Sequence, residues 1–202
     1  MTRRPRTQPE INEFRRRAMI DGTLRSLSEK GVSGTTIRSI CGGESGSRGL
    51  IAHYFENKNE LLAAAFRDLL GEITESVRRA QERTAGDAVE SLKALPRTLF
   101  SRDVFTARNK GAFLTLWHEI RFNPSIRRAN RDFFQTYMAA VETLFADAAK
   151  QQGVKIDLSN AALGLIAMID GLWLEISIDT RTCSRHEAVD LCCKYIDQQL
   201  EH

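Results

Sequence analysis

Apolar residues recur along most of the chain at intervals of three and four residues, which is the spacing of one face of an α-helix. In the first such segment Ile20, Leu24 and Leu27 share a face, and Gly31 follows as a stop signal. No segment of useful length alternates with the two-residue period of a strand. The pattern therefore predicts an all-α protein.

Start and stop signals divide this pattern into separate helices. Asp87 and Ser184 are each followed three positions later by an acid, which is the arrangement of an N-cap. Pro124 suits the first turn of a helix, whereas Pro96 should kink or end one. The nine predicted helices, three in an N-terminal group and six after it, cover residues 10–30, 36–43, 47–54, 57–82, 87–99, 102–122, 124–152, 158–180 and 184–200.

Residues 35–58 predict two short helices joined by a glycine-rich turn, with Thr35 capping the first and Ser47 the second. Such a pair can place its second helix in the major groove of DNA, which is about 12 Å wide. Spacing alone leaves a plain helical hairpin equally open, because short helix pairs are common.

The second helix of this pair can bury Leu50, Ile51 and Phe55 on one face. Tyr54 has a hydroxyl that can donate to phosphate oxygens, and Lys58 lies in the first turn of the next helix, where backbone amides also favour phosphate. The opposite face is small or polar, which suits close approach to bases, and it consists of Ser47, Arg48, Gly49, Ala52 and His53.

The charge distribution is consistent with contact between this end and a polyanion. Residues 1–58 contain 11 Lys and Arg against 6 Asp and Glu, whereas the remaining residues contain 18 against 20. A basic end of this kind is expected when that end binds nucleic acid. A solvated basic tail explains the same charge equally well.

Other features narrow the class of protein. Four cysteines without a C-x-x-C pair indicate reduced thiols, and neither a metal site nor a cofactor is predicted. The Arg-rich N-terminus has no apolar segment behind it, and the longest apolar run is too short to span a bilayer. We therefore expect a cytoplasmic protein without a membrane partner.

Catalytic motifs are absent from the sequence. His118-Glu119 lacks the second histidine of H-E-x-x-H, because position 122 is Phe. The turn contains no phosphate-binding glycine motif and no G-x-S-x-G, because Ser47 stands where its last glycine would fall. We predict no enzymatic activity. A helical module whose basic end binds RNA or another protein stays an alternative, and it would tolerate charge-preserving changes at residues 47–53.

The segments TIRSI at 36–40, SRGLIAHYF at 47–55 and NKNELL at 57–62 resemble the signature of the tetracycline-repressor family. The resemblance implies a helix-turn-helix DNA-binding domain over residues 1–58 and a homodimer on near-palindromic double-stranded operator DNA. Two recognition helices about 34–36 Å apart would fit successive major grooves. By the same resemblance phosphates would be held by Thr36, Tyr54 and Lys58, and base edges or the adjacent backbone approached by Ser47, Arg48, Gly49 and His53.

The turn departs from the pattern of that family. Where the family usually has Ala-Arg-x-Ala-Gly-Val, residues 41–46 read CGGESG. Ser45 replaces a left-handed glycine, at a cost of about 1–2 kcal/mol unless Gly46 takes that role. Two glycines in the second helix cost roughly 1 kcal/mol each relative to alanine. We predict a loose helix-turn-helix that orders fully only on DNA.

The segment LIAMIDGLWL at 165–174 resembles the choline-responsive, BetI-like subgroup of the family, with weaker similarity at residues 112–131. This resemblance implies that residues 59–202 form a six-helix domain that binds a small-molecule effector, choline or another quaternary ammonium compound. It also implies dimerisation through the last two helices.

Asp170 is unusual because an acid among apolar neighbours such as Met168 and Leu172 must be paired, hydrogen-bonded or protonated. It can be a counter-charge for a cationic ligand or a structural hydrogen-bonding group. Aromatic rings can cage a quaternary ammonium ion by cation–π attraction of about 0.5–2 kcal/mol each, although aromatics at helical spacing also form plain core. The candidate rings are Phe113, Trp117, Phe134, Tyr137 and Trp173.

Overall fold

The structure is a computed structural model that describes residues 7–40, 48–84 and 86–201, without the side chains of residues 37, 38 and 48–50. These ranges contain helices and no strand, which confirms the all-α class. A single 3-10 turn, Glu82–Thr84, follows the fourth helix. The α-helices are α1 (Gln8–Gly34), α2 (Ile37–Ile40), α3 (Arg48–Tyr54), α4 (Lys58–Gln81), α5 (Ala88–Leu99), α6 (Ala107–Glu119), α7 (Pro124–Gln152), α8 (Leu158–Ile178) and α9 (Arg185–Leu200).

Side-chain caps begin several helices where the sequence predicts them. At α9 the Ser184 hydroxyl accepts from the Glu187 amide at 3.2 Å, and the Glu187 carboxylate accepts from the Ser184 amide at 2.7 Å. At α7 the side-chain oxygen of Asn123 accepts from the Ser125 amide at 3.0 Å and from the Ile126 amide at 3.3 Å. These bonds satisfy amides that have no partner inside the helix.

The boundaries of α1 and α2 differ from the prediction. Thr7 caps α1 through a capping box, so this helix begins before residue 10. It loses helical geometry at Gly31, whose φ of 64° suits glycine, and continues to Gly34. The cap of α2 is Thr36 and not Thr35, because the Thr36 hydroxyl accepts from the Ser39 amide at 3.2 Å. Thr35 instead donates to the Gly31 carbonyl at 2.6 Å.

The predicted helix over residues 102–122 is shorter in the structure. A turn precedes α6, in which the Phe105 amide donates to the Ser101 carbonyl at 2.8 Å. Val104 and Phe105 are buried in this turn, so its apolar residues belong to the core although they are not helical. Pro96 lies in the last turn of α5, which ends three residues later at Leu99, as its position predicts.

Helix contacts divide the chain into two compact units. The first unit contains Met1–Leu69 and Ala107–Asn130, so it combines α1–α3 and the first half of α4 with α6. The second unit contains Leu70–Thr106 and Arg131–His202, and its helices are the rest of α4, α5, most of α7, α8 and α9. The predicted DNA-binding domain, residues 1–58, is part of the first unit.

Within the first unit α6 packs closely against the last turns of α1. A Cβ atom on Gly111 would lie 2.5 Å from the Ser28 hydroxyl oxygen and 2.9 Å from the Ser28 carbonyl oxygen, so only glycine permits this approach. The Ser28 hydroxyl donates to the Ala107 carbonyl at 3.1 Å, and the Thr115 hydroxyl donates to the Leu27 carbonyl at 3.3 Å. Across this α1–α6 seam, side-chain hydroxyls therefore bond to backbone carbonyls.

Within the second unit α8 packs against α9. The Tyr195 hydroxyl donates to the Ala161 carbonyl at 3.3 Å, and Ile169 is buried. Leu163 and Ile178 of α8 stay exposed, as does Leu191 of α9. By length and composition α8 could cross a membrane, with 39% of its most apolar stretch buried, but core helices of other proteins pass the same test.

Candidate functional sites

The predicted DNA-reading residues lie on α3 and on the segments that flank it. Arg48 and Gly49 are in the first turn of α3, with their side chains outside the described part of the chain. Ser47 lies outside the described residues, and so does the whole turn at 41–47 for which we predict a loose structure. The structure thus defines the backbone of α3 but not the side chains at its start that we predict to contact DNA.

The remaining part of α3 has one buried and one open face. Ile51 and Phe55 are buried, and the guanidinium carbon of Arg16 lies 5.4 Å from the centre of the Phe55 ring. Ala52 and His53 are exposed on the other side. A helix of seven residues is unstable alone, so this burial against the rest of the first unit holds it in place.

The predicted phosphate-binding side chains connect α3 and α4 to α1. The Tyr54 hydroxyl donates to the side-chain oxygen of Asn12 at 3.2 Å, and the Lys58 ammonium donates to the Val32 carbonyl at 3.1 Å. Lys58 is exposed and Tyr54 half-buried, so the ammonium can exchange its weak carbonyl partner for a phosphate. The structure therefore positions both groups before any DNA is bound.

Thr36 and Lys58 line the same cleft, which has a volume of about 280 Å³ and lies wholly in the first unit. Asn57 also lines it, and its side-chain oxygen accepts from the Glu60 amide at 3.0 Å. The Thr36 hydroxyl and the Lys58 ammonium are side-chain donors at this cleft. A hydroxyl and an ammonium at one opening suit a phosphate oxygen.

The six predicted ligand contacts divide between the two units. Phe113 and Trp117 lie on α6 in the first unit, with ring centres 5.0 Å apart, and both are half-buried. The structure brings this pair together as one aromatic surface. The other four predicted contacts belong to the second unit and are Phe134, Tyr137, Asp170 and Trp173.

In the second unit Trp173 has an aromatic neighbour that sequence reasoning missed. The ring of Phe105 meets Trp173 edge-on, with centres 5.1 Å apart. The sequence predicts a helix at Phe105. The adjacent apolar residues Val104 and Phe105 are the signal for a buried segment there. Tyr137 stacks on Phe133 at 5.5 Å, whereas Phe134 is 38% exposed. Phe133 is thus the aromatic companion of Tyr137.

Asp170 lies one turn before Trp173 on α8 and is half-buried. Burial raises the pKa of its carboxyl group to about 6. Within the part of the chain that the structure describes, no donor or cation lies within hydrogen-bonding distance of this carboxyl group. The structural hydrogen bond that we considered for Asp170 is therefore not found there, and a mostly ionised acid stays unpaired at neutral pH.

A second polar group of this unit also lacks a partner. The Tyr137 hydroxyl on α7 is fully buried and makes no hydrogen bond to any residue in the ranges 7–40, 48–84 and 86–201. Burial raises the pKa of Tyr137 far above its usual value, and the charge of Asp170 raises it further. The two groups therefore lie within electrostatic reach of each other. We call Tyr137, Asp170 and Trp173 the acceptor cluster.

The first unit has the short helices of a DNA-binding protein of the helix-turn-helix class, and the second is a helical unit with a buried hydroxyl that lacks a partner among the described residues. Together they are typical of a DNA-binding transcriptional regulator. The profile described as "Bacterial regulatory proteins, tetR family" matches residues 19–65, and the profile "BetI-type transcriptional repressor, C-terminal" matches residues 88–201. The chain belongs to the TetR family of transcriptional regulators and has a BetI-type C-terminal domain, as its sequence motifs predict.

Individual relatives agree with this assignment. The HTH-type transcriptional regulator BetI of Burkholderia mallei (strain NCTC 10229) is 30% identical over 190 residues, which cover 94% of this chain and 95% of the relative. A transcriptional regulator from Pseudomonas aeruginosa PAO1 has a similar crystal structure, with a TM-score of 0.83, 28% identity and coverage of 96% of this chain and 92% of the other.

A third relative was solved with a ligand. The crystal structure of a transcriptional regulator from Saccharomonospora viridis in complex with choline matches with a TM-score of 0.75 and 25% identity. The match covers 94% of this chain and 97% of that one. A transcriptional regulator with a similar fold therefore binds choline, which is a quaternary ammonium compound.

Proposed function

We propose that this protein is a repressor that binds palindromic operator DNA as a homodimer and releases it on binding choline. The observation that carries the effector assignment is the half-buried, unpaired carboxylate of Asp170, one turn from Trp173 on α8. A carboxylate and an aromatic face are the groups that hold a quaternary ammonium ion. The choline complex of the Saccharomonospora viridis relative supports the same ligand class.

The DNA-binding surface consists of α3 with its flanking residues, inside the domain of residues 1–58. Thr36, Tyr54 and Lys58 hold phosphates, which fix the position of the protein on the duplex. The exposure of His53 opposite buried Ile51 supports an open reading face on α3. The residues that approach base edges or the adjacent backbone are Ser47, Arg48, Gly49 and His53.

The homodimer forms through α8 and α9. Leu163, Ile178 and Leu191 are large apolar side chains that these two helices leave exposed in the single chain. Exposed large apolar side chains favour an interface, and two copies would bury them in a four-helix bundle. A two-fold axis would then present two α3 helices to successive major grooves.

Release of DNA is a shift between two states of the protein. Helix α4 begins next to α3 in the first unit and ends in the second unit, so a ligand that favours one position of α4 changes the spacing of the two reading helices. Choline must prefer the state that cannot bind DNA, by around 5.5 kcal/mol for complete inversion. Phe113 and Trp117 on α6 remain predicted ligand contacts.

Two measurements test this proposal on the purified full-length protein. Selection from a random DNA pool should return a near-palindromic site, and light scattering should show a dimer. Titration with choline in the millimolar range should then give heat and release a labelled operator. A monomer with equal affinity for every duplex would overturn the regulator as a whole. No heat and no release would overturn choline as the effector.

A further inference from the structure

We infer that Asn12 and Arg16 of α1 form, with Tyr54, a phosphate-binding site separate from the cleft that Thr36 and Lys58 line. The inference rests on the proposed function, since it extends the DNA-binding surface to a helix outside the helix-turn-helix pair. The ligand is a backbone phosphate of duplex DNA. Contacts of this kind fix the position of a protein on the duplex without reading its sequence.

The first step of the argument is the face of α1 that meets α3. Gln8, Asn12 and Arg16 are spaced four residues apart, so they lie on one face of the helix. The Tyr54 hydroxyl donates to the side-chain oxygen of Asn12 at 3.2 Å, and the guanidinium carbon of Arg16 lies 5.4 Å from the centre of the Phe55 ring. This face of α1 therefore borders the C-terminal end of α3.

The second step is the set of unused donors on this face. The side-chain oxygen of Asn12 accepts from Tyr54 and also from the Gln8 amide at 3.1 Å, which leaves the two N–H groups of the Asn12 amide as donors. Among the described residues neither these N–H groups nor the Arg16 guanidinium has a hydrogen-bond acceptor or an acid as partner. Several donors and one positive charge without an acceptor suit a phosphate oxygen.

The third step is the contrast between Arg16 and the next arginine of the helix. Arg17 donates from Nε to the Glu13 carboxylate at 2.9 Å, so its charge is already offset by an acid. Arg16 is half-buried and lies against the ring of Phe55 instead. A side chain that is held in place before binding loses less freedom when it meets its ligand. Arg16 is therefore the better placed of the two for a phosphate.

The fourth step is the separation of this site from the cleft beside Lys58. The Lys58 ammonium donates to the carbonyl of Val32, which lies about four turns beyond Arg16 along α1. The two cationic side chains thus contact α1 at distant points. A helix in the major groove has a phosphate backbone on each side of a groove about 12 Å wide, so two separate sites suit two phosphates.

Fluorescence anisotropy of the full-length protein tests the inference, with the selected operator and a random duplex at several salt concentrations. Arg16→Gln should weaken binding to both duplexes roughly tenfold and lower the slope of log K against log salt by about 1, because one phosphate contact is lost. Arg16→Lys keeps the charge and should keep the slope of wild type. Asn12→Asp keeps an acceptor for Tyr54 but adds a negative charge, so it should weaken both duplexes at least about tenfold.

Arg25→Gln is the matched control, because it removes the same charge from an exposed position of the same helix. Arg25 follows Arg16 by two and a half helical turns, so it lies on the opposite face of α1. This variant should bind both duplexes with the affinity and the salt slope of wild type. The thermal midpoint of each variant without DNA checks that it is folded.

Two results would overturn this site while leaving the proposed function intact. One is an Arg16→Gln variant with the affinity and the salt slope of wild type. The other is an equal loss of slope in Arg16→Gln and Arg16→Lys, since the contact with Phe55 rather than the charge would then be what binding requires. If wild type bound neither duplex, the proposed function would fail together with the inference.

Discussion

The two compact units treat their buried polar groups in opposite ways. In the first unit the Thr23 hydroxyl donates to the Met19 carbonyl at 2.8 Å, and the Ser26 and Ser39 hydroxyls are 2.9 Å apart. In the second unit the Tyr137 hydroxyl and the Asp170 carboxylate have no such partners among the described residues. Among the described residues, the first unit leaves no fully buried side-chain polar atom without a partner, whereas the second contains groups that a ligand would pair with.

The difference has an energetic side. A buried hydroxyl without a partner costs about 1–3 kcal/mol. A rise of the Asp170 pKa from 3.8 to about 6 corresponds to a cost of about 3 kcal/mol when the carboxyl is ionised. These two groups therefore lower the stability of the second unit, and a cationic ligand with an acceptor oxygen would restore it. Among its described residues the first unit has no comparable buried side chain without a partner.

The largest expected effect comes from a substitution in the first unit, at the seam between α1 and α6. Gly111→Val should destabilise the protein by about 3 kcal/mol, because its side chain would overlap the Ser28 backbone in the α1–α6 seam. Urea denaturation measures the loss. Gly71→Ala is the control, since nothing lies within 4 Å of a Cβ at that helical position and alanine there should be neutral or stabilising. A Gly111→Val variant as stable as wild type would contradict the close approach of the two helices.

The next effect has the opposite sign and belongs to the acceptor cluster. Asp170→Asn should stabilise the ligand-free protein at pH 7.5 by on the order of 2 kcal/mol, because it removes an unpaired buried charge. A pKa raised above 3.8 means that the acid favours the fold most at low pH, and this benefit is lost as the pH rises through about 6. The advantage of the variant should therefore shrink towards pH 4. Denaturation at several pH values measures it, and an advantage independent of pH would exclude the charge as its cause.

The same acid predicts a pH dependence of effector binding. Below a pKa of about 6 Asp170 holds a proton that a cationic ligand must displace, so choline should bind roughly tenfold more weakly at pH 5 than at pH 7.5. Titration calorimetry in two buffers of different ionisation enthalpy would also detect the released proton. Asp170→Asn should show a flat profile, and a flat profile in wild type would remove Asp170 from the site.

Local signals explain which of these features the sequence could predict. The Ser184 and Glu187 box depends on residues three positions apart, so it is readable without a fold, and the motif around α3 is likewise continuous. The Gly111 contact with Ser28 depends on two helices that are distant in sequence, so the presence of α6 in the first unit was not foreseen. The missing partner of Asp170 is equally invisible in a sequence, because absence of a contact can be judged only in three dimensions.

The smallest expected effect tests the DNA-binding surface around α3. Lys58→Ala should weaken binding to every duplex and lower the slope of log K against log salt by about 1, because one phosphate contact is lost. Arg48→Ala should mainly relax the sequence preference if its side chain contacts a base. Lys155→Ala, an exposed lysine of the second unit, is the matched control and should change neither quantity. Fluorescence anisotropy at several salt concentrations measures both. Equal slopes for wild type and Lys58→Ala would mean that Lys58 keeps its bond to the Val32 carbonyl on DNA, so that the cleft beside α3 is structural rather than a phosphate site.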